Sequence, residues 1–253
     1  MKSTQFLSFN LRVNVLNDGM HSWEYRKVHV LTYLRAKQFD VMGFQEATPE
    51  MFKQLKHALR DYDSYGIGRD KNGEATPIFV KKGLFEVVET STFWLSATPN
   101  VESKVHGSHF ARVATYVVLR TEDQEMIAYF NTHLDYAFDT VSIEQAEYLL
   151  EFIRSIEEKY QCAVLLSGDF NQLPASQTIR YVSRNMNSVY TNKKNIQLTH
   201  HGFTRQEKGE PIDYFFYNDQ VVMEEFNVVH HDKDGYFLSD HYPILARVNI
   251  KKI

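Results

Sequence analysis

Between Met126 and Asp169 the chain reads MIAYFNTHLDYAFDTVSIEQAEYLLEFIRSIEEKYQCAVLLSGD. The first run, Met126–Thr132, is apolar, aromatic and strand-like, and so is the last, Ala163–Ser167. Between them Ile143, Ala146, Leu149, Leu150, Ile153 and Ile156 recur at helical intervals, which predicts an amphipathic helix packed on a core. Ser142 and Gln145 have capping-box spacing and set the expected helix start at Ser142. A strand, a core-facing helix and a strand in succession make the chain mixed α/β.

The same pattern extends in both directions. Further strands are expected at Gln5–Asn10, Val41–Phe44, Ile78–Val80, Phe85–Thr92, Ala114–Leu119, Tyr214–Tyr217, Val221–Val229 and Ile244–Val248. A second helix is expected over Trp23–Lys37, with Val28, Leu31 and Leu34 in step, and a third after Thr48 with Pro49 in its first turn. With 253 residues, 43% of them hydrophobic, there is apolar material for one large core. Only 11 Gly and 6 Pro occur, without a linker or repeat, so residues 1–253 are read as a single domain.

A net charge of -4 removes the long-range attraction that duplex nucleic acid would feel, while leaving room for a locally positive cleft. Cys162, the one cysteine, lies in an apolar run and reads as a small buried hydrophobe. The segment from Met1 leads directly into a strand, and no run is long enough to span a bilayer, so a cytoplasmic monomer without a membrane partner is expected.

Polar residues cluster at the strand ends: Asn10, Glu46, His133, Asp169, Asp213 and the pair Asp240-His241. Taken singly, Glu46 and Asp169 are ordinary turn or helix-start residues, and Asp240-His241 an ordinary cap. Asp213 stands out, because a charge entering the apolar run Tyr214–Tyr217 needs a partner. As a set they supply what metal-assisted hydrolysis of a phosphate ester requires. Mg²⁺ takes hard oxygen ligands, for which Glu46, Asp240 and Asn10 are suited. A histidine oriented by a carboxylate can handle a proton, with His241 and Asp213 as the natural pair. His133, Asn171 and Arg112 can contact phosphate oxygens.

Asn10 in Ser8-Phe9-Asn10-Leu11-Arg12, Glu46 in Phe44-Gln45-Glu46-Ala47, His133 in Asn131-Thr132-His133-Leu134-Asp135, Asp169 and Asn171 in Gly168-Asp169-Phe170-Asn171, Asp213 in Ile212-Asp213-Tyr214-Phe215 and Asp240-His241 in Ser239-Asp240-His241-Tyr242-Pro243 resemble, in order, the motif series of the endonuclease/exonuclease/phosphatase superfamily. The segments Phe93–Ser96, Ala111–Thr115 and Thr199–Thr204 resemble compact bacterial members near its deadenylase-like branch. The resemblance implies a four-layer α/β sandwich, two packed mixed β-sheets flanked by helices. It implies a Mg²⁺ cofactor, replaceable by Mn²⁺, with Glu46 as principal ligand beside Asn10 and Asp240. Catalytic roles are implied for His241, Asp213, Asp169, His133 and Asn171, with Asp169 or His241 acting on the water, and phosphate contacts for Asn171, His133 and Arg112.

Three functions fit these residues: hydrolysis of a small or short phosphate ester, a 3′-end exonuclease or an endonuclease on RNA or DNA, and an inactive binding relative. The nuclease reading would use Tyr136, Phe138, Phe203, Tyr236 and Phe237 to stack bases. Gly66-Ile67-Gly68-Arg69 lacks the remaining glycine of a dinucleotide fingerprint, and no phosphate-binding Gly-Lys-Ser/Thr or zinc His-Glu-x-x-His motif occurs. The pairs His200-His201 and His230-His231 read as solvated or core histidines, since neighbours on a strand point to opposite faces.

Overall fold

The computed structural model describes residues 3–191, 196–230, 232–233 and 236–251. Among these, two six-stranded mixed sheets carry the fold. The first runs in the order β11 (Val221–Val228), β14 (Ile244–Ile250), β1 (Thr4–Asn10), β2 (Val41–Gln45), β4 (Ile78–Lys81), β3 (Tyr62–Tyr65). The second runs β5 (Glu86–Trp94), β6 (Val113–Arg120), β7 (Met126–His133), β8 (Ala163–Asp169), β10 (Asp213–Tyr217), β9 (Asn187–Ser188). A short ribbon pairs β12 (Asp232–Lys233) with β13 (Tyr236–Phe237).

Helices cover both outer faces. One apolar cluster joins Leu7, Phe9, Met42 and Phe44 of the first sheet to Val30 and Leu34 of α1 (Trp23–Lys37) and to Met51 and Leu55 of α2 (Pro49–Ala58). The other joins Phe130, Val164 and Leu166 of the second sheet to Leu149 and Ile153 of α3 (Asp139–Tyr160) and Val182 of α4 (Gln177–Asn185), and takes in Phe6 and Val41 from the first sheet. Alternation along β1 explains the division: Leu7 and Phe9 face the helices, while Phe6 and Ser8 face the other sheet. The result is the four-layer sandwich that the resemblance implied. Both faces of a central strand are covered, which is why β2 is buried throughout and does not alternate in hydrophobicity. No helix among the described residues is long and apolar enough to cross a membrane.

The two sheets meet through a buried polar seam. Gln45 Nε2 donates to Asn131 Oδ1 at 2.6 Å and to Ser8 Oγ at 3.1 Å, while Asn131 Nδ2 donates back to the carbonyl of Phe44 at 2.8 Å. The Tyr129 hydroxyl lies 2.7 Å from Ser167 Oγ. Gly43 permits this approach, since a Cβ there would fall 2.4 Å from the Tyr129 hydroxyl.

Local departures from the sequence reading have physical causes. α3 begins at Asp139, ahead of Ser142. Ser142 donates to the carbonyls of Asp135 and Phe138, and Gln145 accepts from the Asp135 amide at 2.9 Å, so this pair fastens the loop after β7 and does not cap the helix. α1 spans the expected residues, but Val28 is exposed, and Trp23, Arg26, Val30, Tyr33 and Leu34 are its buried positions. α2 starts as expected, with Thr48 accepting from the Met51 amide at 3.3 Å. Cys162 is buried, and desolvation pushes its thiol up to about 11.

Asp139 and Gly168 give two tests of this framework. The Asp139 carboxylate accepts from the Gln177 and Thr178 amides and the Thr178 hydroxyl at the start of α4, and these bonds hold it below the usual range against the opposing effect of burial. Asp139→Ala should cost about 1 kcal/mol in urea unfolding at neutral pH. Because the folded value is depressed, the stabilisation is present above the unfolded pKa of about 3.9 and is lost as pH falls through the lower folded value. A Cβ on Gly168 would lie 2.1 Å from the Thr132 carbonyl oxygen, so Gly168→Ala should lower stability by about 1–3 kcal/mol or prevent folding, as read by circular dichroism.

Candidate active site

Strand pairing delivers the polar residues to one edge. β1 and β2 run parallel with Asn10 opposite Gln45, so Glu46, the next residue, leaves the sheet beside Asn10. β7 and β8 run parallel with His133 opposite Asp169, and β10 runs antiparallel with Asp213 opposite Asp169. β14 is antiparallel to β1 and pairs Ile244 with Ser8, so Asp240 and His241 enter from the same edge. Arg12, Glu46 and Asn171 leave these strands with φ of 56°, 58° and 52°, a left-handed conformation that non-glycine residues adopt at an energetic penalty and that turns the chain sharply at the site.

The side chains interlock. Asn10 Nδ2 donates to Asp169 Oδ2 at 2.9 Å and to Glu46 Oε1 at 3.1 Å, bridging the two sheets. Glu46 Oε2 accepts from the Val13 amide at 2.6 Å. His241 Nδ1 lies 2.8 Å from Asp213 Oδ2, which leaves its Nε2 3.7 Å from Asp169 Oδ2. The Asn171 amide group donates to His133 Nε2 at 2.9 Å and to the Leu134 carbonyl at 3.0 Å, so that histidine nitrogen carries no proton. His133 Nε2 is in turn 3.6 Å from Asp169 Oδ2. The seven residues Asn10, His133, Asp169, Asp213, Asp240, His241 and Arg112 are all buried.

Charge sets the protonation of this cluster. Burial raises Asp169 to about 7, reinforced by the Asp213 charge and opposed by His241 and by the hydrogen bonds of Asn171 and Asn10. Burial works to lower His241, but the charge and hydrogen bond of Asp213, with Asp169 and Asp240, carry it up to about 10. His133 is depressed by burial and then by Arg112. Asp240 lies below the usual carboxylate range: burial opposes this, and His200, His241 and Arg12 outweigh it.

Several residues at the site were not singled out in the sequence for it. Arg12 pairs with Asp18 at 3.0 Å and comes within 3.7 Å of Asp240 Oδ2, and the Asp18 hydrogen bond, with the charges of Asp240 and Glu46, raises its pKa against the effect of burial. His200 Nε2 is also 3.7 Å from Asp240 Oδ2, whereas His201 is buried and lowered to about 4 by desolvation. The adjacent pair thus divides between rim and core. His230 meets Gln197 at 3.0 Å, and His231 lies outside the described residues. Of the aromatics, Tyr136, Phe138 and Tyr236 are exposed, Phe203 stacks on His21, and Phe237 is buried.

Arg26 of α1 is 2% exposed yet has a charged head. It donates to the carbonyls of His21 at 2.5 Å, Leu238 at 2.5 Å and Arg12 at 3.1 Å, tying the turn after Asn10 to the segment before Asp240.

The fold recurs in known proteins. The family model for the Endonuclease/Exonuclease/phosphatase family matches residues 7–241, and the chain belongs to that family. An endonuclease/exonuclease/phosphatase from Bacteroides vulgatus is 28% identical, with 99% of this chain and 100% of that one covered and a TM-score of 0.90. A mannosyl-6-phosphatase from Bacteroides thetaiotaomicron is 25% identical, with 98% and 100% covered and a TM-score of 0.87. The human Nocturnin catalytic domain shares the fold at 19% identity, 99% and 96% covered, TM-score 0.78. No curated protein sequence matches the chain significantly.

Arg26→Met would leave three carbonyls without their buried donor. It should lower stability by about 2–5 kcal/mol in urea unfolding, a loss well beyond that of Lys27→Met on the same helix.

Proposed function

We propose that this protein is a divalent-metal-dependent phosphoesterase that hydrolyses a phosphate ester by in-line attack of water. One observation carries the reading: Asp169 stands between two imidazoles, His133 at 3.6 Å and His241 at 3.7 Å, while Asp213 fixes the far nitrogen of His241 at 2.8 Å. Such an arrangement offers an acceptor for a proton of water and, at His241 Nε2, a donor for a phosphoryl oxygen within one buried cluster. The family assignment and the mannosyl-6-phosphatase relative support phosphate esters as the substrate class.

The donor set suits a hard cation. Glu46 and Asp240 contribute carboxylates, and Asn10 Oδ1 accepts from the Arg12 amide at 2.9 Å while retaining a second lone pair. These three residues would hold Mg²⁺, with Mn²⁺ as a substitute. When bound, the ion supplies positive charge to a phosphoryl oxygen and to the leaving oxygen.

The chain's own groups do the rest. Asp169 orients the attacking water and accepts its proton. Asp213 holds His241 in one orientation, so that Nε2 presents its N–H to the phosphoryl group. The Asn171 amide, both of whose N–H groups are engaged by His133 Nε2 and the Leu134 carbonyl, fixes the His133 ring and reaches a phosphoryl oxygen by exchanging one of these bonds. Arg112 adds charge from the β6 side.

His241→Ala should retain the fold and lower turnover of p-nitrophenyl phosphate with Mg²⁺ by about 10²–10⁴-fold, the loss usual for a proton-handling group. EDTA should abolish wild-type turnover, and Glu46→Gln should raise the Mg²⁺ concentration needed for half-maximal rate. Full activity of either the EDTA-treated enzyme or the His241→Ala variant would refute the scheme.

A further inference from the structure

Arg112 is 4% exposed and Arg69 is 9% exposed, and both line a small cavity together with Glu46, His133, Glu74 and Thr76. Neither guanidinium is fully partnered. Arg69 donates to Glu74 at 3.0 Å, but its Nε has no acceptor. Arg112 Nε likewise has none, and its nearest carboxylate oxygen, Asp135 Oδ2, is 3.6 Å away. That oxygen is already committed. It accepts from the Ser108 hydroxyl at 2.7 Å and the His109 and Phe110 amides at 3.1 and 3.3 Å, and the other oxygen accepts from Ala137 at 2.9 Å.

An ion pair with Asp135 therefore balances the charge of Arg112 without satisfying its Nε–H. Phe110 covers the pair, its ring centroid 4.0 Å from the Arg69 guanidinium carbon and 5.7 Å from that of Arg112. Burying a cation with even one N–H unpaired is expensive unless an anion completes the bond, and here both Nε atoms are so placed. The cavity measures about 10 Å³, the space of one water-sized group. A phosphoryl oxygen fits it, and two guanidiniums favour the dianionic terminal phosphoryl group of a monoester over the single charge of a diester.

We propose that Arg112 and Arg69 form a cradle for a terminal phosphoryl oxygen, which makes the substrate a phosphomonoester and turns diesters away. This rests on the phosphoesterase reading above and names its substrate class. The oxygen of water bonds to phosphorus as the phosphorus–oxygen bond to the alcohol breaks. One water proton passes to Asp169, the departing alkoxide is protonated from solvent, and the products are an alcohol and inorganic phosphate. Phosphate keeps the oxygen that the cradle reads, so it should bind as a product inhibitor.

The test compares p-nitrophenyl phosphate with bis-(p-nitrophenyl) phosphate on the full chain with Mg²⁺, and inorganic phosphate with dimethyl phosphate as competitive inhibitors. The wild type should favour the monoester in kcat/KM, and phosphate should inhibit at a concentration at least about 10-fold lower than dimethyl phosphate. Arg69→Gln should lower the monoester-to-diester ratio by about 10- to 100-fold, the effect of losing a charged hydrogen bond, with partial recovery in Arg69→Lys. Equal use of both esters, equal inhibition by both anions, or an unchanged ratio in folded Arg69→Gln would each overturn the cradle while leaving the phosphoesterase reading in place. Failure of the wild type to hydrolyse either ester would instead overturn that reading. The inhibitor comparison uses the wild type alone and does not depend on a variant folding.

Discussion

The site exists because two sheets that supply different halves of it are held at a fixed separation by buried amides. Gln45 and Asn131 reach across the interface and exchange hydrogen bonds with each other, with Ser8 and with the Phe44 carbonyl. Apolar packing alone tolerates sliding, whereas directional bonds inside a low-dielectric interior do not, since a displaced partner would be left buried and unpaired. The residue after Gln45 is Glu46, and two residues after Asn131 comes His133. The seam therefore sets the spacing of the groups that lie just beyond it, and the Asn10 amide continues the same bridge between Glu46 and Asp169 at the rim.

A dense group of carboxylates at that rim would repel itself if left alone. Glu46, Asp169, Asp213 and Asp240 are held together by Arg12 and Arg26, which act on Glu46 and Asp240, and by His241, which acts on Asp213, Asp169 and Asp240. The balance is distributed: Asp213 is matched to His241 at one side, Asp240 to Arg12 and His200 at the other, and Asp169 in the middle rises because burial and the Asp213 charge outweigh the pull of His241. Environments that push neighbouring groups apart in proton affinity are how one cluster can both accept and donate.

Much of this was legible in the sequence because strand ends are marked twice, by the stop of an apolar run and by the polar residue that follows. Asn10, Glu46, His133 and Asp169 fall where those marks predicted, Asp213 opens its apolar run, and α2 starts at the expected Thr48 cap, whereas α1 keeps its bounds but turns Val28 outward. What escaped reading has no such mark. Arg26 has helix neighbours typical of a solvent-facing position, and only tertiary structure shows carbonyls converging on it. Arg69 sits in a turn-rich loop between β3 and β4 of the first sheet. β3 is too polar to register as a strand, and the Ser142–Gln145 spacing was real but served the loop at Asp135.

Arg26 also determines how the molecule breathes. Because a single guanidinium grips Arg12 near one end of the chain and Leu238, 212 residues from Arg26 in sequence, neither segment can lift away without exposing the other's carbonyl to loss of its donor. The turn at Arg12 and the segment at Leu238 are thus coupled in any local opening through one side chain of helix α1.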